Sequence, residues 1–212
     1  MNQINELIKG YKIVFWDFDG VIKDSVEEKT KAFMSLFLPF GQKVVDKVKE
    51  HHIKNSGVSR FDKFPIYLKW AGLEVSDELV NMYSNQLSCM VIDRVLQSPW
   101  VGGVKEYLVE NYNDQCFVLI SATPEDEIRF ILRELSIDYC FCGIYGSPTT
   151  KDEIISRYLD NFNYFKSDAL MIGDGLADFN ASKSNDISFL LRITEINRDL
   201  QICYDGPQFR NL

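Results

Sequence analysis

Asp17 and Asp19 stand one residue apart, directly after the apolar run Ile13-Val14-Phe15-Trp16, and Gly20 comes next. Two carboxylates that close repel one another, and ionising both calls for a cation. A hard divalent ion such as Mg²⁺, taken through oxygen ligands, meets that need. Gly20 permits a sharp backbone departure immediately after the pair. Three further polar stretches also succeed apolar runs. Ser121 comes straight after Cys116-Phe117-Val118-Leu119-Ile120, and Lys151 opens a segment of helical character. Gly173-Asp174-Gly175-Leu176-Ala177-Asp178 comes after Ala169-Leu170-Met171-Ile172. Each has a plainer reading: a solvated acidic turn, a turn serine, acids capping a helix. Lys151 is the least easily dismissed, because the helix dipole disfavours a cation at a helix start.

These side chains need elements to carry them. Short apolar runs bounded by turn residues read as buried strands at 13–16, 116–120, 139–144, 169–172 and 187–191. Thr123-Pro124-Glu125-Asp126 reads as a helix start, with a capping hydroxyl, proline at the first position and acids in the first turn. A further helix is expected over Asp152–Leu159. Alternation of strand and helix implies an α/β fold with a doubly wound, mainly parallel sheet and right-handed crossovers. In such sheets ligands bind beyond the carboxyl ends of the strands. Asp17, Ser121, Lys151 and Asp174 would therefore share one edge.

Residues 26–96 break the alternation, with apolar residues at helical spacing: Ala32, Phe33, Leu36 and Phe37, then Phe61, Phe64 and Leu68, then Leu79, Met82, Tyr83 and Leu87. About four helices are expected there. The division is residues 1–24 and 97–212 as an α/β core and 25–96 as a helical cap, with hinges at Lys23–Glu27 and Leu96–Gly103. Asp24 or Ser25 is placed to cap the first inserted helix.

The ordered set Asp17-x-Asp19-Gly20, Ser121, Lys151 and Gly173-Asp174-x-x-x-Asp178 resembles the four motifs of the haloacid dehalogenase superfamily. The resemblance spans the chain if the helical insertion counts as a cap between the first and second motifs. It implies a Rossmann-like core and phosphoryl transfer: Asp17 as nucleophile, Asp19 as general acid and base. Mg²⁺ would be held by Asp17, Asp19, Asp174 and Asp178. Ser121, with nearby backbone N–H groups such as those of Gly20 and Ala122, would hold a phosphoryl oxygen. Lys151 would offset the charge of nucleophile and phosphate. Dehalogenating and phosphonate-cleaving members lack the second acid, so Asp19 favours a phosphatase acting on a small phosphorylated metabolite. A phosphosugar mutase resembling beta-phosphoglucomutase shares the same residues, and a non-catalytic regulatory subunit on the same fold is a third reading.

The composition is that of a globular protein: 212 residues, 46% hydrophobic and 25% charged. A formal net charge of −8 argues against nucleic acid as a partner. Within that acidic chain, residues 42–70 hold seven Lys or Arg against three acids, a local +4 suited to drawing a phosphorylated substrate over the site. Lys54, Asn55, Ser59 and Arg60 are the expected substrate contacts, Arg60 for its planar, bidentate cation. His51 and His52 are adjacent, point different ways on a helix, and fit a half-exposed cap helix better than a metal site. Cys140 and Cys142 would share one face of the third strand as packing residues. No apolar run reaches the roughly 20 residues of a membrane span, and the polar start Met1–Gly10 does not read as a signal peptide. A cytoplasmic protein is expected.

Overall fold

The computed structural model describes residues 3–212. A short helix, α1 (Gln3–Lys9), leads into strand β1 (Ile13–Trp16). Four helices form the insertion that follows: α2 (Val26–Phe37), α3 (Gln42–Lys54), α4 (Arg60–Trp70) and α5 (Asp77–Gln97). Helix α6 (Val104–Asn111) returns the chain to β2 (Cys116–Pro124), α7 (Glu125–Glu134), β3 (Gly143–Ser147) and α8 (Lys151–Phe162). Strand β4 (Ala169–Gly173), α9 (Leu176–Ser184), β5 (Ser188–Arg192), α10 (Arg198–Cys203) and β6 (Gln208–Phe209) complete it. Among the described residues, no helix is long and apolar enough to cross a membrane.

All strand pairs are parallel, in the order β3-β2-β1-β4-β5-β6. The fold is therefore the α/β, Rossmann-like layering with a helical insertion. Strands covered on both faces must be apolar throughout, and the four residues of β1 are all fully buried. Val14 and Trp16 point to the layer of Ile8, Leu108 and Ile128, whereas Ile13 and Phe15 point to that of Ile155 and Ala181. Each such side chain contributes about 1.5–3 kcal/mol on burial. The entry and exit of the insertion lie side by side. Val101 N donates to Ile22 O at 3.0 Å and Asp24 N to Pro99 O at 2.8 Å. The Lys23 ammonium is spent on the Leu96 carbonyl at 3.0 Å and the Trp100 ring.

Several expectations are corrected. The third strand is Gly143–Ser147, and residues 138–140 form a 3₁₀ turn, so Cys140 and Cys142 share no strand face. Cys140 is buried and Cys142 exposed. The aromatic and thiol run resembles a strand, but its backbone turns to let Cys140 pack inward. Thr123 is not a cap: β2 continues to Pro124, which itself takes the N-cap position of α7. The segment after Gly206 adds a sixth strand beside β5.

Candidate active site

Strand β1 lies between β2 and β4, so Asp17 emerges at the middle of the sheet edge. Its backbone N–H still donates to Ile172 O at 3.0 Å, which fixes the main chain where the side chain leaves it. Asp174 comes directly after β4 and Asp178 lies in the first turn of α9, where the Gly175 N–H donates to Asp178 Oδ2 at 3.0 Å. One carboxylate oxygen each from Asp17, Asp174 and Asp178 lies within 4.8 Å of the others, and all three residues are buried. Lys151 is the first residue of α8, where Thr150 and Glu153 form a capping box. Its ammonium lies 2.8 Å from Asp17 Oδ1 and 2.5 Å from Asp178 Oδ1. Those two acids explain a cation that the helix dipole alone would reject.

Three buried carboxylates against one ammonium leave the cluster short of positive charge. Burial, then the charges of Asp17 and Asp178, push Asp174 well above the ordinary carboxylate range. Burial raises Asp17 to about 7, opposed by Lys151 and reinforced by Asp178 and Asp19. Lys151 is itself held high: burial works against its charge, and Asp17 and Asp178 overcome it. Asp174 Oδ2 is buried with no hydrogen-bond partner. An orphaned anionic oxygen beside two further carboxylates is a donor set that fits Mg²⁺. Gly20 leaves room for it, since a Cβ there would lie 2.1 Å from Asp174 Oδ2. With φ at +78°, Gly20 also occupies the left-handed region. Gly20→Ala should therefore lower stability by about 1–3 kcal/mol and weaken Mg²⁺ binding; urea titration and calorimetry with Mg²⁺ check both, and unchanged values would show that the close approach is relieved elsewhere.

Asp19, expected among the metal ligands, is not in this group of acids, and its carboxylate is engaged by the inserted helices instead. Its Oδ1 accepts from Ser25 Oγ at 2.6 Å and its Oδ2 from Lys29 Nζ at 2.5 Å. Thr123 Oγ1 accepts from Lys29 at 2.7 Å and donates to Asp19 at 3.4 Å. Burial would raise the Asp19 carboxyl, but Lys29 and Ser25 outweigh it and hold it below its usual value. Ser25 precedes α2 as expected of a cap, yet its side chain makes no capping bond. It is spent on Asp19. Lys29 escaped the sequence reading, and Thr123 was read only as a cap; the signal for Lys29 was its four-residue spacing from Ser25, which puts both on one side of the chain entering α2. Ser121 is buried at the end of the β2 core, its Oγ accepting from the Thr123 N–H at 3.1 Å. Ala122 and Lys151 line the same cleft.

The expected substrate contacts are spread over three clefts: Ser59 lines that of Ser121 and Lys151, Arg60 that of Asp17 and Asp19, and Lys54 that of Asp174. Lys54 is exposed and pairs with Glu50 at 2.8 Å. The Asn55 side chain donates to His51 O, ending α3, and Ser59 caps α4. Arg60 is buried rather than presented to solvent. It makes two bonds to Glu127 of α7, at 3.0 and 2.9 Å, and a third to Ser88 Oγ at 2.8 Å. His52, expected to be half-exposed, is buried, and burial followed by the Lys63 charge keeps its ring neutral well below the usual value.

A family model described as haloacid dehalogenase-like hydrolase matches residues 14–191. Comparison with curated proteins finds no match. Solved structures of similar fold include a haloacid dehalogenase-like family hydrolase from Streptococcus pneumoniae, 16% identical over 95% of each chain, with a TM-score of 0.68. A predicted phosphoglycolate phosphatase from Haemophilus somnus is 15% identical, covers 92% of this chain and 99% of its own, and has a TM-score of 0.66. A CbbY variant from Rhodobacter sphaeroides, in complex with xylulose-(1,5)bisphosphate, is 10% identical over 95% and 94% of the two chains, with a TM-score of 0.76.

Proposed function

Because this chain belongs to the haloacid dehalogenase-like hydrolases, we propose that it is a Mg²⁺-dependent phosphatase that hydrolyses a small phosphomonoester through an aspartyl-phosphate. One observation carries the reading: three buried carboxylates from distant stretches meet around one ammonium, with Asp174 Oδ2 unpaired. A structural charge cluster gains little from such an arrangement, since buried acids without full compensation are costly.

Asp17, Asp174 and Asp178 would hold the ion, which when bound supplies charge compensation for the acids and the phosphoryl oxygens. Asp17 attacks phosphorus in line and the ester oxygen leaves. Asp19, on the cavity side, gives that oxygen a proton and then takes one from the water that releases phosphate. Lys29 and Ser25 hold Asp19 ionised, the form the second step needs. The approach of a phosphate dianion, by repelling that charge, favours the proton required for the first. Ser121 and the Ala122 N–H hold a phosphoryl oxygen, and Lys151 fixes the nucleophile and balances its charge.

Hydrolysis of p-nitrophenyl phosphate tests the assignment. With Mg²⁺ present turnover is expected. EDTA should lower it by a factor on the order of 10³, and added Mg²⁺ should restore it. Turnover indifferent to chelation, or none with Mg²⁺, removes the assignment.

A further inference from the structure

Between the inserted helices and the sheet edge lies a narrow cavity of about 50 Å³, bounded by Asp17, Asp19, Lys29, Phe33, His52 and Lys63. Its cations differ in one respect. Lys29 is neutralised by Asp19, and nearby Arg60 by Glu127. Lys63 of α4 is 2% exposed, and among the described residues no carboxylate pairs with it. Its Nζ lies 3.3 Å from His52 Nδ1 and 5.7 Å from the centre of the Phe33 ring. Both are neutral groups, and the neutral His52 offers a lone pair. An ammonium buried against an imidazole and a phenyl ring lacks the anion that ordinarily accompanies a buried charge. Burial, then the charge of Lys29, lowers it to about 7.

Resting on the phosphatase reading, we propose that the substrate's leaving group carries a second anion, a carboxylate or a phosphate a few atoms from the ester oxygen, and that Lys63 binds it. Asp19 lines the same cavity, so the oxygen it protonates must lie there, and the remainder of the leaving group is directed towards Lys63. With the helices so placed the space corresponds to about four water molecules. A short acid suits this space. The incoming anion supplies the missing partner of Lys63 and keeps its ammonium charged.

Rates on three phosphomonoesters test this with the full chain and Mg²⁺: ethyl phosphate, 2-phosphoglycolate and ethylene glycol bisphosphate. One of the two anionic esters should exceed ethyl phosphate in kcat/KM by roughly 30-fold, the scale of a charge-assisted contact. Which one does so separates carboxylate from phosphate. In Lys63→Met that preference should collapse towards one, while Lys63→Arg retains most of it. A merely structural lysine would instead lower all three substrates together and leave their ratio intact, which overturns the proposal. Equal turnover of the three by the unaltered protein also overturns it, whether or not the variants fold, yet leaves the phosphatase reading standing. Failure to hydrolyse any ester, p-nitrophenyl phosphate included, overturns both.

Discussion

Replacing Asp17 by Asn is expected to abolish phosphatase turnover, with a fall in kcat on the order of 10⁴ or more, while the fold survives. The amide keeps the shape of the carboxylate and removes only its nucleophilicity and its charge. The backbone at this position is held by the Ile172 carbonyl, and the Phe18 N–H that donates to Asp17 Oδ1 at 2.8 Å finds an acceptor in the amide oxygen as well. Lys151 loses one of its two acidic partners but keeps Asp178 at 2.5 Å. Removing one negative charge from an undercompensated cluster also relieves Asp174, so stability should hold or rise slightly. Steady-state assays with p-nitrophenyl phosphate and thermal unfolding together check the two halves. A variant with normal turnover would take the nucleophile away from Asp17; one that is inactive because it is unfolded would contradict the backbone argument.

The second large effect is structural. Glu127→Gln should destabilise the protein by about 3–5 kcal/mol, the cost of leaving a buried partner charge uncompensated. The Arg60 and Glu127 side chains are 4% and 5% exposed, so water cannot take over the role of the missing carboxylate. For a chain of this size that corresponds to a fall in Tm of roughly 6–20 °C. Replacing both, as in Arg60→Met with Glu127→Leu, should recover most of the loss, because neither charge is then stranded. Denaturant titration of the two variants decides it, and a Glu127→Gln change under about 1 kcal/mol would mean the pair behaves as an exposed one. Because this pair ties α4 to α7, its loss should also disturb the placement of Lys63 and raise KM.

The acids and Lys151 were legible because each ends or succeeds an apolar run short enough to be a buried strand. In a parallel sheet, the residues immediately beyond such runs all arrive at one edge. The boundaries were less so. Tyr139-Cys140-Phe141-Cys142 carries the apolar character expected of a strand, while the true strand, Gly143–Ser147, has only Ile144 and Tyr145 set among small residues. The last strand escaped because two residues beyond Gly206-Pro207 carry no periodic pattern. What the sequence could not disclose is how the charges of the insertion are shared out. On a helix, Lys29, Arg60 and Lys63 look like members of a solvated face. Some of their partners come from far along the chain, Glu127 67 residues from Arg60 and Thr123 94 from Lys29. Only the packing of α4 and α5 against α7 decides that Arg60 is committed to the fold and Lys63 is left over.

The position of β1 has a consequence for how the protein is made. The strand that carries the nucleophile is translated early, yet its two neighbours begin only at Cys116 and Ala169. Until Cys116–Pro124 has left the ribosome, Ile13–Trp16 has no edge to join, and until Ala169–Gly173 follows one of its two edges stays open. Such distant pairings close slowly, and exposed strands of this kind invite aggregation. Synthesis of this protein is thus most exposed to misfolding before Ala169–Gly173 emerges, with assembly of the catalytic centre among the last events of maturation.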